Sequence, residues 1–295
     1  TGIMSTMDKI ISASQPYNRA QVITSLNKLE VEQNGLTVTT SYDDRVLKEA
    51  EVSNKYFTFD FPRFVENVIP EVENYFTPSN YLLRMVGGRQ ELRLIGEEMK
   101  INGDTFYRML SILNSTDKSR ALQMNMGLLR LICTNGAFAS VNGEAVSIKG
   151  KHYKASLPDK IEDFSKGIER FKTITNQQKE LLSDLLGTRV SYRALANALV
   201  RNEENEVVEG KLKKLSRLAG KLLTSETDRL LTVSEEQRNL LLKPELVIHS
   251  QDTGDLDIDA YRLFNCYTEI FRSNDSGKMK RESDRILGLI NTLAA

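Results

Sequence analysis

The sequence predicts an α+β protein, with an antiparallel, strand-rich N-terminal core carrying packed helices and a mainly α-helical C-terminal part. The prediction rests on a change of pattern near Leu157-Pro158. Before this point short apolar runs alternate with turn residues, and after it apolar residues recur at three- and four-residue steps. We therefore expect a core domain at residues 20–155 and a helical domain, for support or oligomerisation, at residues 156–295.

Strand candidates fill the first part. The turns Gly87-Gly88-Arg89 and Asn102-Gly103-Asp104 separate apolar runs as β-hairpin turns do. Phe61–Phe76 has apolar residues at helical spacing, with Pro70 expected to kink the helix. Residues 128–139 fit either a strand or a short helix, and we favour the helix. The predicted strands are 35–42, 55–61, 81–86, 90–95, 98–101, 105–113, 121–126 and 145–149.

Helical periodicity dominates the second part. Its apolar steps between Pro158 and Gly187 predict one helix of about 28 residues, or about 40 Å, and a candidate for subunit packing. Ser234-Glu235-Glu236-Gln237 has the form of a capping box and predicts a short helix. Other predicted helices are 192–201, 207–223, 256–271 and 281–293, with loops at 250–257 and 273–280.

Composition narrows the class of protein. Hydrophobic residues make up 40% and charged residues 27%, which is typical of a globular chain. No run approaches the roughly 20 apolar residues that span a bilayer, and residues 1–7 do not resemble a signal peptide, so we expect no membrane partner. Cys133 and Cys266 lie far apart, which fits a reducing, intracellular compartment better than a disulfide framework.

The motifs of common catalytic centres are missing from the sequence. Gly150-Lys151 is followed by His152, so a phosphate-binding loop is not formed. His152 and His249 lack a metal-ligand spacing, and we predict neither a metal, a cofactor nor enzymatic activity. Cys133 is better explained as a small buried hydrophobe than as a nucleophile. For the carboxylates Asp252, Asp255, Asp257 and Asp259, an acidic loop with a helix N-cap is favoured over a nuclease metal site.

Basic residues are concentrated in the middle of the chain. Residues 81–155 carry eleven Lys/Arg and six Asp/Glu, a net +5, whereas residues 1–80 carry seven and eleven, a net −4. An anionic partner and an ordinary solvated surface both explain this excess. On helix 207–223 the basic face of Lys211, Lys213, Lys214, Arg217 and Lys221 has the same two explanations, and we favour the solvated face.

Three short motifs carry a resemblance to a known family. They are Asn114-Ser115-Thr116-Asp117-Lys118-Ser119, then Arg130-Leu131-Ile132-Cys133-Thr134-Asn135-Gly136, and Asn265-Cys266-Tyr267-Thr268-Glu269. The chain resembles, over about residues 80–272, a phage/plasmid-like family known only as a domain of unknown function. Lys118 stands where that family has glycine. The signature residues Asn114, Asp117, Arg130, Cys133 and Asn135 either hold the fold or contact a ligand, and we expect Asp117 to pair with Arg130.

The family's setting and its basic, strand-rich core look similar to single-strand annealing proteins of the Red-beta, RecT and Rad type. That similarity implies a phage- or plasmid-encoded, ATP-independent protein that binds and anneals single-stranded DNA in the bacterial cytoplasm, as a homo-oligomeric ring or filament. The alternative is a non-enzymatic phage interaction or assembly protein that binds a protein partner.

A strand-binding groove needs cations along the phosphates and aromatic faces for the bases. The predicted nucleic-acid-binding residues are Arg84, Arg89, Arg93, Arg108, Lys118, Arg120, Lys149, Lys151, His152, Tyr153 and Lys154. In the alternative, Arg84 and Arg93 form cross-strand salt bridges with Glu91, Glu97 or Glu98.

Overall fold

The computed structural model describes residues 9–11, 15–56, 58, 60–130, 136–137, 147–150, 157–224, 233–249, 255–271 and 276–294. The strands are β1 Lys9–Ile11, β2 Gln15–Pro16, β3 Leu29–Asn34, β4 Thr37–Tyr42, β5 Arg45–Glu51, β6 Asn80–Val86, β7 Arg89–Ile101, β8 Asp104–Ser115, β9 Leu122–Arg130, β10 Gly136–Ala137, β11 Ser147–Gly150, β12 Arg189–Ser191 and β13 Asp257–Asp259. The helices are α1 Arg19–Leu26, α2 Phe61–Tyr75, α3 Leu157–Ile168, α4 Phe171–Asp184, α5 Tyr192–Val200, α6 Glu209–Thr224, α7 Glu235–Leu242, α8 Pro244–His249, α9 Ala260–Ile270 and α10 Ser276–Leu293. The predicted fold class is confirmed, because an antiparallel, sheet-rich N-terminal region precedes a mostly helical C-terminal part.

The chain forms two compact units, and each combines separate stretches of sequence. The first unit contains Thr1–Met99, Phe106–Leu129 and Ser140–Gln177. The second contains Lys100–Thr105, Arg130–Ala139 and Gln178–Ala295. The expected domains at 20–155 and 156–295 describe a different division, which stays a prediction.

A meander forms the main sheet of the first unit. Its strands follow the order β1-β6-β7-β8-β9, and β11 pairs with β9. In β6 and β7, Leu83 lies opposite Leu92 and Tyr81 opposite Leu94, and these four side chains belong to one hydrophobic core. Strands β3, β4 and β5 form a separate three-stranded sheet.

Helix α2 covers the core with one apolar face. The Asp60 carboxylate begins the helix by accepting a hydrogen bond from Arg63 N at 3.1 Å. The prediction of a helix here is confirmed, with Pro70 inside it. Phe64 of α2 meets Phe164 of α3 edge-on, with ring centroids 4.9 Å apart. Aromatic pairs in this geometry add to the stabilisation from burial.

The predicted helix of residues 158–187 is wrong, because the structure has two helices, α3 and α4. The turn at Glu169-Arg170 interrupts the backbone ladder, and Arg170 N donates to Gly167 O at 3.1 Å instead. Glycine weakens a helix at this point. The break still leaves Phe164, Ile168, Phe171 and Ile174 buried in the core of the first unit.

Three further predictions differ from the structure. Residues 128–130 continue strand β9 and 136–137 form β10, so a helix there is wrong, while 131–135 and 138–139 lie outside the described residues. The described residues of 55–61 form no strand, and Phe61 opens α2; Phe57 and Phe59 are not described. Helix α10 begins at Ser276, inside the loop predicted at 273–280.

Helices α5 to α10 build the second unit. The capping box at Ser234 is confirmed: Gln237 N donates to Ser234 Oγ, and Ser234 N donates to Gln237 Oε1, each at 3.1 Å. Asp259 caps α9 by accepting from Arg262 N at 3.0 Å. Within the described ranges, none of the helices is long and apolar enough to span a bilayer.

Candidate nucleic-acid interface

Two loops meet at one end of the main sheet. Arg89, directly after the β6–β7 turn, donates from Nε to Ser119 Oγ in the β8–β9 loop at 3.0 Å. Thr116 N in the same loop donates to Gly88 O at 2.8 Å. Gly88 is needed for this approach, because a Cβ there would lie 2.5 Å from Asp117 Cγ. These hydrogen bonds therefore hold the β6–β7 turn against the β8–β9 loop.

This meeting of loops gathers cations from distant parts of the sequence. Arg89 and Lys118 are exposed, and Arg120 is half-buried. Exposed Lys48 of β5 is adjacent, because its Cδ is 3.9 Å from where a Gly87 Cβ would be. We call Lys48, Arg89, Lys118 and Arg120 the basic end. Among them lies the carboxylate of Asp117, which accepts from Ser119 N at 3.1 Å.

Lys118 has a backbone conformation that favours glycine. Its φ is +58°, in the left-handed region, where a side chain costs about 1 kcal/mol. A lysine thus occupies a turn position that glycine would adopt without this cost. Within the described part of the chain, the Lys118 ammonium forms no ion pair.

Arg84 and Arg93 point towards Glu91 on the face of the main sheet opposite to the core residues Leu83 and Leu92. Arg84 lies opposite Glu91 in the β6–β7 register, with 3.8 Å between Nη1 and Oε2. The Arg93 Nη2 to Glu91 Oε1 distance is 2.9 Å, and Ser111 Oγ donates to the same oxygen at 2.7 Å. Glu91 is only 1% exposed. The pairing expected in the alternative is found for Arg84 across β6 and β7, whereas Arg93 pairs with Glu91 within β7; both arginines are placed to neutralise a buried carboxylate.

Arg108 connects strand β8 to helix α4. Its Nε is 2.9 Å from Glu97 Oε2, and its Nη2 donates to Asn176 Oδ1 at 2.8 Å. These interactions lie within the first unit and occupy the guanidinium. Lys149 belongs to β11, but its side chain, and all of Lys151, His152, Tyr153 and Lys154, lie outside the described residues. Of the predicted cations, the structure brings together Arg89, Lys118 and Arg120.

The first signature motif is built into the same end of the sheet. Buried Asn114 donates from Nδ2 to Gln90 Oε1 at 2.9 Å. Asp117 closes the loop of the basic end, as described above. Cys133 and Asn135 of the second motif lie outside the described residues.

Arg130 of the second motif pairs with Asp104, and the expected partner Asp117 is wrong. Arg130 Nη2 donates to Asp104 Oδ2 at 2.8 Å in the second unit, and Arg130 is 1% exposed. Asp117 precedes the start of β9, whereas Arg130 ends that strand. The two ends of β9 are eight residue steps apart, a distance of about 26 Å along an extended strand. The turn residue Asp104, at the start of β8, is the nearer acid.

Helix α9, which carries the third motif, reaches the same acid through Tyr261. The Tyr261 hydroxyl donates to Asp104 Oδ2, and the buried side chain of Asn265 lies beside Tyr261. Burial, and then the hydrogen bond to Asp104, raise the pKa of Tyr261 above its ordinary value. We call Asp104, Arg130, Tyr261 and Asn265 the motif cluster. It joins two motifs in one buried polar network, which is a structural role.

Sequence reasoning missed Asp104 and Tyr261. Asp104 lies in a predicted hairpin turn. Tyr261 fell inside a predicted helix. The one local signal is the apolar sequence around Arg130, because an arginine buried there needs a carboxylate partner.

The acidic residues before α9 serve as caps. Asp255 accepts from Arg193 N at 3.2 Å and from Leu256 N at 2.8 Å, and Asp259 caps α9. Asp252 is not described. Over the described residues, no group of three His, Cys, Asp or Glu side chains is arranged to hold a metal ion. The N-cap explanation is therefore confirmed for Asp259.

Comparison with known proteins identifies the family of the chain. The chain has no match among curated proteins and none among solved structures. One family matches residues 83–285, close to the span of 80–272 expected from the motifs. The further similarity to annealing proteins stays a prediction. Since the match covers more than half of the sequence, the chain belongs to the family described as "Domain of unknown function (DUF932)".

Proposed function

We propose that the protein binds single-stranded DNA through the basic end and promotes annealing without ATP. The observation that supports this most is the Arg89–Ser119 hydrogen bond of 3.0 Å, which brings Arg89 beside the loop of Lys118 and Arg120. Exposed cations on one rigid surface attract phosphates whatever the base sequence. The carboxylate of Asp117 offsets only part of this charge.

The side chains at the basic end favour phosphates over bases. Tyr56 reaches this loop, but it is 7% exposed and its hydroxyl donates to Ser115 O at 3.1 Å. Its ring therefore offers no stacking surface. A strand held mainly by its backbone keeps its bases free to pair with a complement, which is what annealing requires.

Self-association is part of the proposal. The four cations of the basic end can meet only a few phosphates, and such an interaction is weak at physiological salt. Several copies side by side would bind one strand by many weak interactions, and multivalency would raise the affinity. A homo-oligomer, as a ring or a filament, supplies such an array.

The test is fluorescence anisotropy with a labelled single-stranded oligonucleotide across a salt series, followed by an annealing assay with its complement. We expect the variant Arg89→Ala/Lys118→Gly to weaken binding and to flatten the log–log salt slope by about 0.7 for each phosphate that it no longer neutralises. Lys118→Gly removes the cation and suits the φ of +58°. The annealing rate should fall in parallel.

The matched control is Arg63→Ala/Lys166→Ala. Both cations are exposed and lie in the first unit, on α2 and α3. The control removes the same charge and should bind like the wild type. Equal losses of affinity in both variants would show a general charge effect instead of a site. If the wild type fails to bind at low salt, the proposal fails, and the interaction-protein alternative takes its place.

A further inference from the structure

Two of the five cations on the basic face of α6 have a structural explanation. Arg217 Nη2 donates to Ile270 O at 3.4 Å, and the Lys221 ammonium pairs with Glu269. Both interactions are made at the C-terminal end of α9, where unpaired carbonyls give a helix a partial negative charge. These two cations therefore stabilise the α9 end.

Two others, Lys211 and Lys214, line a small pocket. Lys211 and Lys214 of α6 and Arg285 of α10 surround it, and Leu218, Tyr267 and Phe271 form its apolar wall. Its volume is about 30 Å³, room for about two water molecules or for the oxygens of one small anion. The Lys214 ammonium lies 5.5 Å from the centre of the Phe271 ring.

The cations of this pocket have no carboxylate partner in the described part of the chain. The nearby acids are already engaged. Glu282 accepts from the Tyr267 hydroxyl at 2.8 Å, Glu269 pairs with Lys221, and Asp284 pairs with Lys280 at 2.8 Å. Three like charges against an apolar wall repel one another, and a bound anion removes that repulsion.

We propose that this pocket binds a phosphate group. Its Lys and Arg donors are those that recognise phosphate, and Arg285 adds the planar donor pair that phosphate accepts. Its three positive charges exceed the single negative charge of a carboxylate, whereas a phosphate monoester carries up to two negative charges and offers three acceptor oxygens. The site lies in the second unit and shares no residue with the basic end, so it does not depend on the proposed function.

Isothermal titration of the full chain with inorganic phosphate, at constant ionic strength in chloride, tests the site. We expect Lys211→Gln/Arg285→Gln to weaken phosphate binding at least about tenfold, because the variant cannot form two charge-assisted hydrogen bonds. Lys211→Gln alone should give an intermediate effect. The matched control is Lys213→Gln/Arg281→Gln, with the same residue types on the same helices but outside the pocket.

Two outcomes overturn the inference: no phosphate binding by the wild type, or equal binding by the pocket and control variants. Competition identifies the source of the phosphate. An oligonucleotide without terminal phosphates that displaces inorganic phosphate shows a phosphodiester site, whereas displacement by thymidine monophosphate alone shows a monoester site. The Arg89→Ala/Lys118→Gly variant should keep full phosphate binding, which separates this test from that of the basic end.

Discussion

The guanidinium of Arg130 donates to the carboxylate of Asp104 at 2.8 Å in the interior of the second unit. The same oxygen of Asp104 accepts from Tyr261, so one carboxylate holds a strand end and a helix start together. A buried charge that loses its partner is costly, because solvent does not replace the missing interaction. The pair thus gives Arg130, the first residue of the second motif, a measurable structural role.

Asp104→Asn should destabilise the protein by about 3 kcal/mol, because it leaves the buried Arg130 charge uncompensated. Chemical denaturation followed by circular dichroism measures the change in the free energy of unfolding. Asp184→Asn is the control, since this acid is exposed, lies in the same unit and makes no side-chain cap. Similar losses of stability in the two variants would contradict the role of the pair.

Glu91→Gln should also cost about 3 kcal/mol, since it removes the charge that neutralises Arg84 and Arg93. The comparison is Glu162→Gln on α3. The Glu162 side chain is 65% exposed and forms a salt bridge with Lys166. Loss of that exposed pair should leave the free energy of unfolding nearly unchanged, because solvent screens it. A Glu91→Gln protein with wild-type stability would show that the buried ion pairs do not support the sheet.

Gly96→Ala should destabilise the first unit by about 3 kcal/mol through overpacking. A Cβ at this position would lie 2.3 Å from Thr77 O, so the backbone of the neighbouring segment must move. Gly220→Ala in α6 meets nothing within 4 Å and should leave stability equal or higher, because alanine favours helix. The measurement is the free energy of unfolding of each variant. Equal effects in the two variants would contradict the close approach of Gly96 to Thr77 O.

Stability should fall as the pH rises above about 10. Burial raises the pKa of Tyr192, Tyr261 and Tyr267 above the ordinary value of 10.0. The unfolded chain therefore releases these protons first, and each tyrosine lowers stability by about 1.4 kcal/mol per pH unit until its folded pKa is reached. Tyrosinate absorbance in the near ultraviolet is the measurement. These tyrosines should ionise only together with loss of the circular dichroism signal, and early ionisation in the folded protein would contradict the burial.

Local sequence patterns were sufficient to predict much of the fold. The turns at Gly87-Gly88 and Asn102-Gly103 fixed the β6–β7 and β7–β8 hairpins, and the capping box at Ser234 fixed the start of α7. These features depend on neighbours in the sequence. The break between α3 and α4 was missed, because the apolar spacing continues from Ile168 to Phe171 and conceals the intervening turn.

The candidate site was less predictable, since it depends on interactions between distant residues. Nothing local distinguishes Arg84 and Arg93, which face Glu91, from Arg89, which is exposed at the turn. The β6–β7 register decides which arginine meets the acid. The choice of Asp104 over Asp117 as the partner of Arg130 likewise follows from the direction of β9.

The second unit is discontinuous in sequence, and this limits how the protein can be dissected. Tyr261 and Asn265 come from the C-terminal part, whereas Asp104 and Arg130 come from the middle of the chain. A fragment that starts at residue 156 or 178 would lack the acceptor of the Tyr261 hydroxyl, and a fragment that stops there would leave Arg130 without Tyr261 beside its acid. No single cut yields two intact pieces, so the two activities proposed for the chain are best separated by point substitutions in the full chain.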